Sequence, residues 1–391
     1  MEYKGIFSGN KDIWFVFLLL SLFSILGVYS ASVGVSYRET GGDTFRYLIR
    51  HFSFLVIGML TIILTRRIPT KSISKYIEAL WIISIILLFV TIIQKYFNHS
   101  SGRFLDLGII RFQTSDLAKI SLLLLLSRRL SLKNEDIKSI KEALKILFLP
   151  IIITVGLIFP LNGSTGFMLF GVCCVLLFIG DLKLKYLFSG IVLTILGFVL
   201  IALICVGIEK ATGASLIRKE TWISRFENTY TPKADNYQIQ LTKAVVADAG
   251  WIGKGPGNSF AKNILSQSES DLIFVVLLDE LGIIPMILLI MSYVYLIFYV
   301  IKIVKKSEDT FSTYASMSIV ILIATQAFVH FGAITGLLPF TGQPLPLVSI
   351  GGTSILFYCF GLGVILSTNR EANNLETKED EVVSQKENKY P

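Results

Sequence analysis

Long apolar runs separated by short polar stretches dominate the hydrophobic pattern of this chain. Several runs reach the ~18 to 20 residues that a helix needs to cross the ~30 Å hydrocarbon core of a bilayer. The pattern therefore predicts an all-α, polytopic membrane protein of about ten transmembrane helices. The predicted spans are 13–31, 47–65, 77–94, 113–127, 146–160, 165–180, 184–207, 271–301, 311–331 and 350–368.

The composition excludes several other classes of protein. Of the 391 residues, 53% are hydrophobic and 16% are charged, against roughly 25% charged in an average soluble domain. His51, His99 and His330 are scattered and the cysteines form no CxxC pair, which argues against a metal or redox site. The net charge is +8, and the Lys and Arg residues lie beside the predicted helix ends. This placement favours a role in membrane orientation over nucleic-acid binding.

The distribution of Lys and Arg predicts the orientation of the membrane domain, 13–368. Basic residues concentrate in the short loops on the same side as residues 1–12, so both termini are expected in the cytoplasm. The long loop 207–270 and a Gly/Pro-rich stretch then lie on the extracytoplasmic side, where we expect any chemistry. The polar tail, 369–391, is predicted to be disordered.

The start of the fourth span combines several polar residues. Gln113, Asp116 and Lys119 follow one another at spacings of three residues, so they share one helix face. Arg111 lies just before the start of this helix. One interpretation is structural: Ser115 or its neighbour caps the helix, and Asp116 pairs with Lys119. The other is that Arg111 and Lys119 bind an anion.

The eighth span opens with a carboxylate at the end of the long loop. Asp271 is either only an N-cap or an ionised general base, because the positive end of a helix stabilises a carboxylate. Asp279 and Glu280 are expected about 13 Å deeper along the same helix. Buried carboxylates need partners, so these two are predicted to form a structural network.

The segment 336–353 is rich in Gly and Pro within an otherwise apolar region. Irregular backbone is tolerated at membrane depth only when it is buried in protein or lines a wet cavity. It is therefore a candidate for substrate binding, or else a rigid interhelical turn. The segment 251–259 resembles a phosphate-binding loop loosely but lacks the Walker spacing, so a nucleotide site is excluded.

Four motifs together resemble those of SEDS proteins (shape, elongation, division and sporulation), the polytopic partners of class B penicillin-binding proteins. The resemblance covers roughly residues 13–368, and its loop motif is closer to the division branch, FtsW, than to the elongation branch, RodA. The motifs are RFQTSDLAK (111–119), YQIQLTKAVVADAGWIGKGPGNS (237–259), SDLIFVVLLDELG (270–282) and TGLLPFTGQPLPLVSIGGTS (335–354).

The resemblance implies a peptidoglycan glycosyltransferase that polymerises lipid II during septal cell-wall synthesis at the bacterial inner membrane. The essential Asp of the family corresponds to Asp271, the expected general base, and its basic pair to Arg111 and Lys119. It implies inversion of configuration at the anomeric carbon of the donor sugar. No cofactor is certain, and Mg²⁺ or Mn²⁺ is an option beside the pyrophosphate. Expected partners are a class B penicillin-binding protein and other divisome proteins. The predicted substrate-binding residues are Arg103, Arg111, Gln113, Ser115, Lys119, Ser349, Gly351 and Gly352.

Some residues depart from the family pattern. Asn162 stands in an element where the family has Asp, Asp116 replaces a Glu, and Asp279 replaces the first Glu of a pair. Alternative functions are a lipid II flippase, an elongation-type polymerase, or a scaffold that activates a penicillin-binding protein. A scaffold would tolerate loss of the Asp271 carboxylate, whereas an enzyme would not.

Overall fold

The chain folds into a bundle of helices in the computed structural model. The structure describes residues 10–39, 44–98, 104–106, 111–132, 139–212, 237–264 and 269–387. The helices are α1 (Lys11–Glu39), α2 (Thr44–Thr65), α3 (Thr70–Asn98), α4 (Thr114–Ser131), α5 (Ile140–Ala143), a π-helical turn (Leu144–Phe148), α6 (Leu149–Ile158), α7 (Gly163–Ile179), α8 (Leu184–Thr212), α9 (Tyr237–Asp248), α10 (Ala261–Ile264), α11 (Ile273–Leu281), α12 (Ile283–Lys306), α13 (Thr310–Thr335) and α14 (Thr353–Glu387). Before α4 lies an antiparallel ribbon of β1 (Leu105–Asp106) and β2 (Arg111–Phe112).

The bundle confirms the predicted all-α membrane fold. Every predicted span coincides with one or more helices, and large apolar side chains such as Phe15, Leu22 and Phe89 are exposed on the outside of the bundle. Such an exterior suits contact with lipid, where helices satisfy their own backbone groups. Within the described residues, the helices long and apolar enough to cross a membrane are α1, α2, α3, α12 and α13.

Helix α4 lies at the centre of the bundle. Every side chain from Thr114 to Ser127 is buried, and the helix packs against α3, α6, α7, α13 and α14. A helix buried on all sides must be enclosed by other helices. Its polar first turn is consequently held by protein groups and is not presented to lipid.

The predicted span 271–301 is wrong as a single helix, because the chain breaks at Gly282 into α11 and α12. Gly282 has φ +82°, a backbone conformation that favours glycine. The hydroxyl of Tyr295 in α12 donates to Asp12 Oδ1 at the start of α1 (2.7 Å). Helix α12 therefore runs antiparallel to α1.

Helix α11 runs in the opposite direction to α12. The side chain of Ile273, at its start, packs against Gly27 of α1, and Glu280, near its end, accepts a hydrogen bond from Ser30. Helix α11 is thus parallel to α1, and α11 and α12 form a hairpin. We call the side of the molecule that carries residues 250–258 the loop face. Asp271 precedes the end of α11 that points away from the loop face.

The predicted disorder of the tail 369–391 differs from the structure, since α14 continues to Glu387. The backbone N–H and hydroxyl of Thr70 both donate to the carboxylate of Glu371 (2.9 and 2.5 Å). These bonds fix the first turn of the tail to the start of α3. A polar sequence extends a helix that is already formed without paying the nucleation cost again.

Candidate functional site

Four helices, α4, α7, α11 and α14, begin in one polar region inside the bundle. The first contact joins α4 to α14: the Gln113 N–H donates to Thr353 Oγ1, and Ser354 Oγ donates to Gln113 Oε1 (both 3.1 Å). The Ser354 N–H also donates to the carbonyl of Gly351 (2.9 Å). The structure therefore brings together three of the predicted substrate-binding residues, Gln113, Gly351 and Gly352.

The second contact joins the segment before α11 to the Gly/Pro-rich segment. Ser349 Oγ donates to the carbonyl of Ser270 (2.7 Å) and accepts from the Leu345 N–H (2.8 Å). The Ile350 N–H donates to the carbonyl of Glu269 (3.0 Å). The irregular backbone after α13 is thus used to hold the residues that lead into α11.

Asp271 lies in this contact region and is 5% exposed. Asp271 directly precedes Leu272, the N-cap residue of α11. Helix α11, which follows Asp271, packs against α13, which carries His330, through the rings of Phe274 and Phe331 (centroids 5.0 Å apart). A carboxylate here also lies beside the positive end of the α11 dipole.

His330 is a residue that the sequence analysis missed, because histidines were considered only as metal ligands. It is 2% exposed, and its Nδ1 lies 2.8 Å from the carbonyl oxygen of Gln343. The side-chain amide of Gln343 donates to Thr165 Oγ1 in the first turn of α7 (2.7 Å). The contact connects α7 and α13 to the polar region. The signal in the sequence was a histidine in an apolar helix, four residues after Gln326 on the same face.

Asp116 and Lys119 form an ion pair of 2.6 Å within α4. Lys119 is 1% exposed, and its ammonium also donates to Gln326 Oε1 (3.2 Å) and to the Tyr358 hydroxyl (3.4 Å). An ammonium has three donors, and these partners engage all three. The structure therefore favours the ion pair over an anion contact for Lys119, because an anion could bind only by displacing one of them.

Three more predicted site residues precede α4 or lie in its first turn: Arg103, Arg111 and Ser115. Arg111 is exposed on β2, where its backbone pairs with Asp106. Ser115 is buried in the first turn of α4. Arg103 lies outside the described residues.

Asp279 and Glu280 lie nearer the loop face than Asp271. They are therefore shallower than Asp271, contrary to the predicted order, if the loop face is the extracytoplasmic side. The Lys254 ammonium lies 2.7 Å from Asp279 Oδ1. Ser259 donates from its hydroxyl to Asp279 Oδ2 (2.8 Å) and from its N–H to Glu280 Oε1 (3.2 Å). We call these contacts of Asp279 and Glu280 with residues 250–259 the loop clasp.

The backbone is packed closely at the loop clasp. A Cβ atom on Gly282 would lie 2.4 Å from the backbone nitrogen of Gly253, so neither of these two segments has space for a side chain there. Hydrogen bonds to Asp248 and to Asp279 raise the pKa of the Lys254 ammonium. The charged form of Lys254 is therefore the form that holds the loop clasp together.

The described ranges contain no group of three His, Cys, Asp or Glu side chains placed to hold a metal ion. Mg²⁺ often binds through only one or two carboxylates together with phosphate oxygens of a substrate. A divalent cation at Asp271 would therefore need oxygen ligands from the substrate.

Both the sequence and the fold match known proteins along nearly the whole chain. The family model for cell cycle proteins FtsW, RodA and SpoVE matches residues 10–374. A Coxiella burnetii protein named probable peptidoglycan glycosyltransferase FtsW is 30% identical over 96% of this chain and 100% of its own length. The peptidoglycan glycosyltransferase MrdB of Escherichia coli K12 is 27% identical over 90% of this chain and 91% of its own.

A solved structure shows the same fold. The matching chain belongs to a peptidoglycan synthase complex described as coordinating polymerization and crosslinking. It superposes with a TM-score of 0.68 at 21% identity and covers 92% of this chain and 98% of its own. At this level of identity the match concerns the fold alone.

Proposed function

The chain belongs to the FtsW, RodA and SpoVE family of cell cycle proteins, and on that premise we propose that it is a peptidoglycan glycosyltransferase that polymerises lipid II. Relatives that carry the name peptidoglycan glycosyltransferase align along nearly all of their length. The observation that carries the proposal is the position of Asp271, buried where the N-termini of α4, α7, α11 and α14 meet.

The loop face is the extracytoplasmic side in this proposal. Lys305 and Lys306 lie in the last turn of α12, and Lys11 lies at the start of α1, so these basic residues end up on the opposite side. The excess of Lys and Arg at cytoplasmic helix ends supports that orientation. Both termini are then in the cytoplasm of a bacterial cell.

Asp271 is the general base of the proposed reaction. Its carboxylate takes the proton of an acceptor sugar hydroxyl, and the hydroxyl oxygen forms a bond to the anomeric carbon of the donor sugar. The bond from that carbon to pyrophosphate breaks, and undecaprenyl pyrophosphate leaves with the bonding electrons. One displacement inverts the configuration, and pyrophosphate leaves without the carboxylic acid that a glycosidase needs.

The helix N-termini supply the electrostatic part of the reaction. Backbone N–H groups and the positive dipole ends at helix starts favour a phosphate or pyrophosphate anion. The exposed side chain of Arg111 adds a cation, while Lys119 contributes its charge from the buried ion pair with Asp116. Gln113, Ser115, Ser349, Gly351 and Gly352 provide polar groups around the same region. If Mg²⁺ or Mn²⁺ takes part, Asp271 would supply its protein oxygen ligand, and the ion would offset the negative charge of the leaving group.

A septal role is the favoured cellular assignment. The relatives include both an FtsW protein and the MrdB protein, and the loop motif 253–259 supports the division branch. A class B penicillin-binding protein would crosslink the strands, together with other divisome proteins. Depletion of the protein tests this assignment: filamentous cells support the septal role, and rounded cells support an elongation role.

The activity is tested by incubating purified protein and its class B penicillin-binding partner with fluorescent lipid II and resolving the products on a gel. We expect glycan polymer from the wild type and none from Asp271→Ala. Asp248→Ala is the matched control, since this carboxylate pairs with Lys254 on the loop face, away from Asp271, and its side chain is 70% exposed. Equal polymer from wild type and Asp271→Ala would reject the mechanism. Movement of lipid II across vesicles without polymer would identify a flippase.

A further inference from the structure

His330 presents a hydrogen-bond acceptor that no protein group in the described part of the chain uses. The imidazole is 2% exposed, and its Nε2 has no hydrogen-bond partner there. Most buried polar atoms in proteins have such a partner. An unpaired nitrogen at this position therefore requires an explanation.

The partner of Nδ1 determines which ring nitrogen carries the hydrogen. The carbonyl oxygen of Gln343, 2.8 Å from Nδ1, can only accept a hydrogen bond, so the Nδ1 atom must be protonated. A charged imidazolium is costly to bury, and no hydrogen bond to a carboxylate stabilises one at His330. In the neutral ring Nε2 then carries a lone pair and must accept.

The helix that carries His330 packs against the helix that follows the proposed catalytic carboxylate. The ring of Phe331, next to His330 in α13, packs edge to face with Phe274, three residues after Asp271, with centroids 5.0 Å apart. This packing places the turn of α13 that carries His330 against the first turn of α11.

The orientation of the imidazole is also fixed from the other side. The backbone of Gln343 holds Nδ1, and its side chain is in turn held by Thr165 of α7 (2.7 Å). The ring therefore cannot turn Nε2 toward another partner without breaking the bond at Nδ1. A fixed, buried acceptor beside a carboxylate suits a ligand that carries two donors.

We propose that His330 is a specificity-determining residue that accepts, at Nε2, a hydrogen bond from a second O–H or N–H of the acceptor sugar whose reacting hydroxyl is held by Asp271. The inference rests on the proposed function. A single sugar hydroxyl has one hydrogen, which goes to the Asp271 carboxylate. A neighbouring hydroxyl or an acetamido N–H of the same sugar supplies the hydrogen for Nε2.

Two substitutions separate this role from a structural one. In His330→Asn the amide N–H replaces the Nδ1 donor to Gln343, but nothing replaces Nε2. In His330→Gln the longer amide places an acceptor oxygen near the position of Nε2. If His330 only held Gln343 in place, the Asn variant would behave as the wild type.

The assay is polymerisation of fluorescent lipid II by the full chain with its class B partner, with kcat and KM measured for each variant. We expect His330→Asn to raise KM roughly 3- to 10-fold with kcat changed less than about 2-fold, because uniform binding is lost. His330→Gln should return KM to within about 3-fold of wild type. Thermal unfolding of the detergent-solubilised variants shows whether each is folded.

The control is His51→Gln, which replaces another buried histidine whose Nε2 bonds to Ser24 (2.7 Å), and it should leave KM unchanged. A folded His330→Asn variant with the wild-type KM overturns the inference, as does a loss in kcat alone. If His330→Asn does not fold, His330→Gln is compared with His330→Phe, whose side chain has no acceptor. Equal increases in KM for these two variants overturn the inference. A wild type that makes no polymer overturns the proposed function and this inference with it.

Discussion

Two buried polar side chains inside the same apolar bundle differ in how they are paired. The ammonium of Lys119 in α4 is surrounded by Asp116, Gln326 and Tyr358, which engage all of its donors. The imidazole of His330 keeps one acceptor, Nε2, without a partner in the described part of the chain. A group whose donors are all engaged stabilises and rigidifies the structure, whereas an unused acceptor leaves a place for a ligand donor. The comparison supports a mainly structural role for Lys119 and our proposal that the Asp271 region carries the chemistry.

The largest expected effect is that of Asp271→Asn on catalysis. The amide has the same shape but cannot take a proton, so we expect kcat to fall by about 10²- to 10⁴-fold. Thermal unfolding should change little, since the amide keeps the shape of the carboxylate. A variant that retains wild-type kcat would show that this region is as structural as the Lys119 network.

Removing one member of the Lys119 network should affect stability more than chemistry. Lys119→Met leaves the Asp116 carboxylate buried without its counter-charge, which costs about 3–5 kcal/mol of unfolding free energy. The double variant Asp116→Leu/Lys119→Met removes both charges and should recover most of that loss. Polymerisation by the double variant should stay within about 10-fold of wild type. A stable but inactive double variant would instead assign Lys119 to the pyrophosphate.

The hairpin between α11 and α12 should be sensitive to a single methyl group. Gly282→Ala places a Cβ 2.4 Å from the Gly253 nitrogen at φ +82°, so we expect a loss of more than about 1 kcal/mol. Gly171→Ala is the control, because Gly171 lies within α7 with nothing within 4 Å of its new Cβ. Thermal unfolding of both variants makes the comparison, and equal midpoints would contradict the close packing.

The smallest expected effect concerns Lys254 in the loop clasp. Its pKa is raised in the folded protein, so the stability it contributes is present below its unfolded pKa and is lost as pH rises through the folded pKa. Lys254 is partly exposed, and Asp279 keeps the hydrogen bonds from the Ser259 hydroxyl and the Phe260 N–H, so Lys254→Met should cost about 1 kcal/mol at pH 8. The difference from wild type should vanish at a pH above the raised pKa. A difference that persists there would mean that the side chain acts through packing.

Most of the helical fold could be predicted because a membrane leaves the backbone few alternatives. Runs of apolar residues must form helices of a set length, so their number and order follow from the pattern. The break at Gly282 could not be predicted, since the apolar sequence continues across it. The reversal depends on contacts with residues 250–259, which are distant from it in the sequence.

The candidate site could be predicted in part. Asp271 and Gln113 were identified because polar residues at the mouths of apolar spans are costly without a role. Lys119 met the same criterion. Its pairing could not be predicted in full, because two of its partners, Gln326 and Tyr358, lie in other helices. His330 was missed for a related reason, since an unused nitrogen is visible only once its neighbours are placed.

The hairpin also connects the loop clasp directly to Asp271. Helix α11 has nine residues, about 13 Å at the usual rise, and the loop clasp holds one end while Asp271 precedes the other. One short helix thus separates residues 250–259 from the proposed catalytic carboxylate, with no loop between them. The conformation of the loop clasp therefore helps to fix where the Asp271 backbone lies.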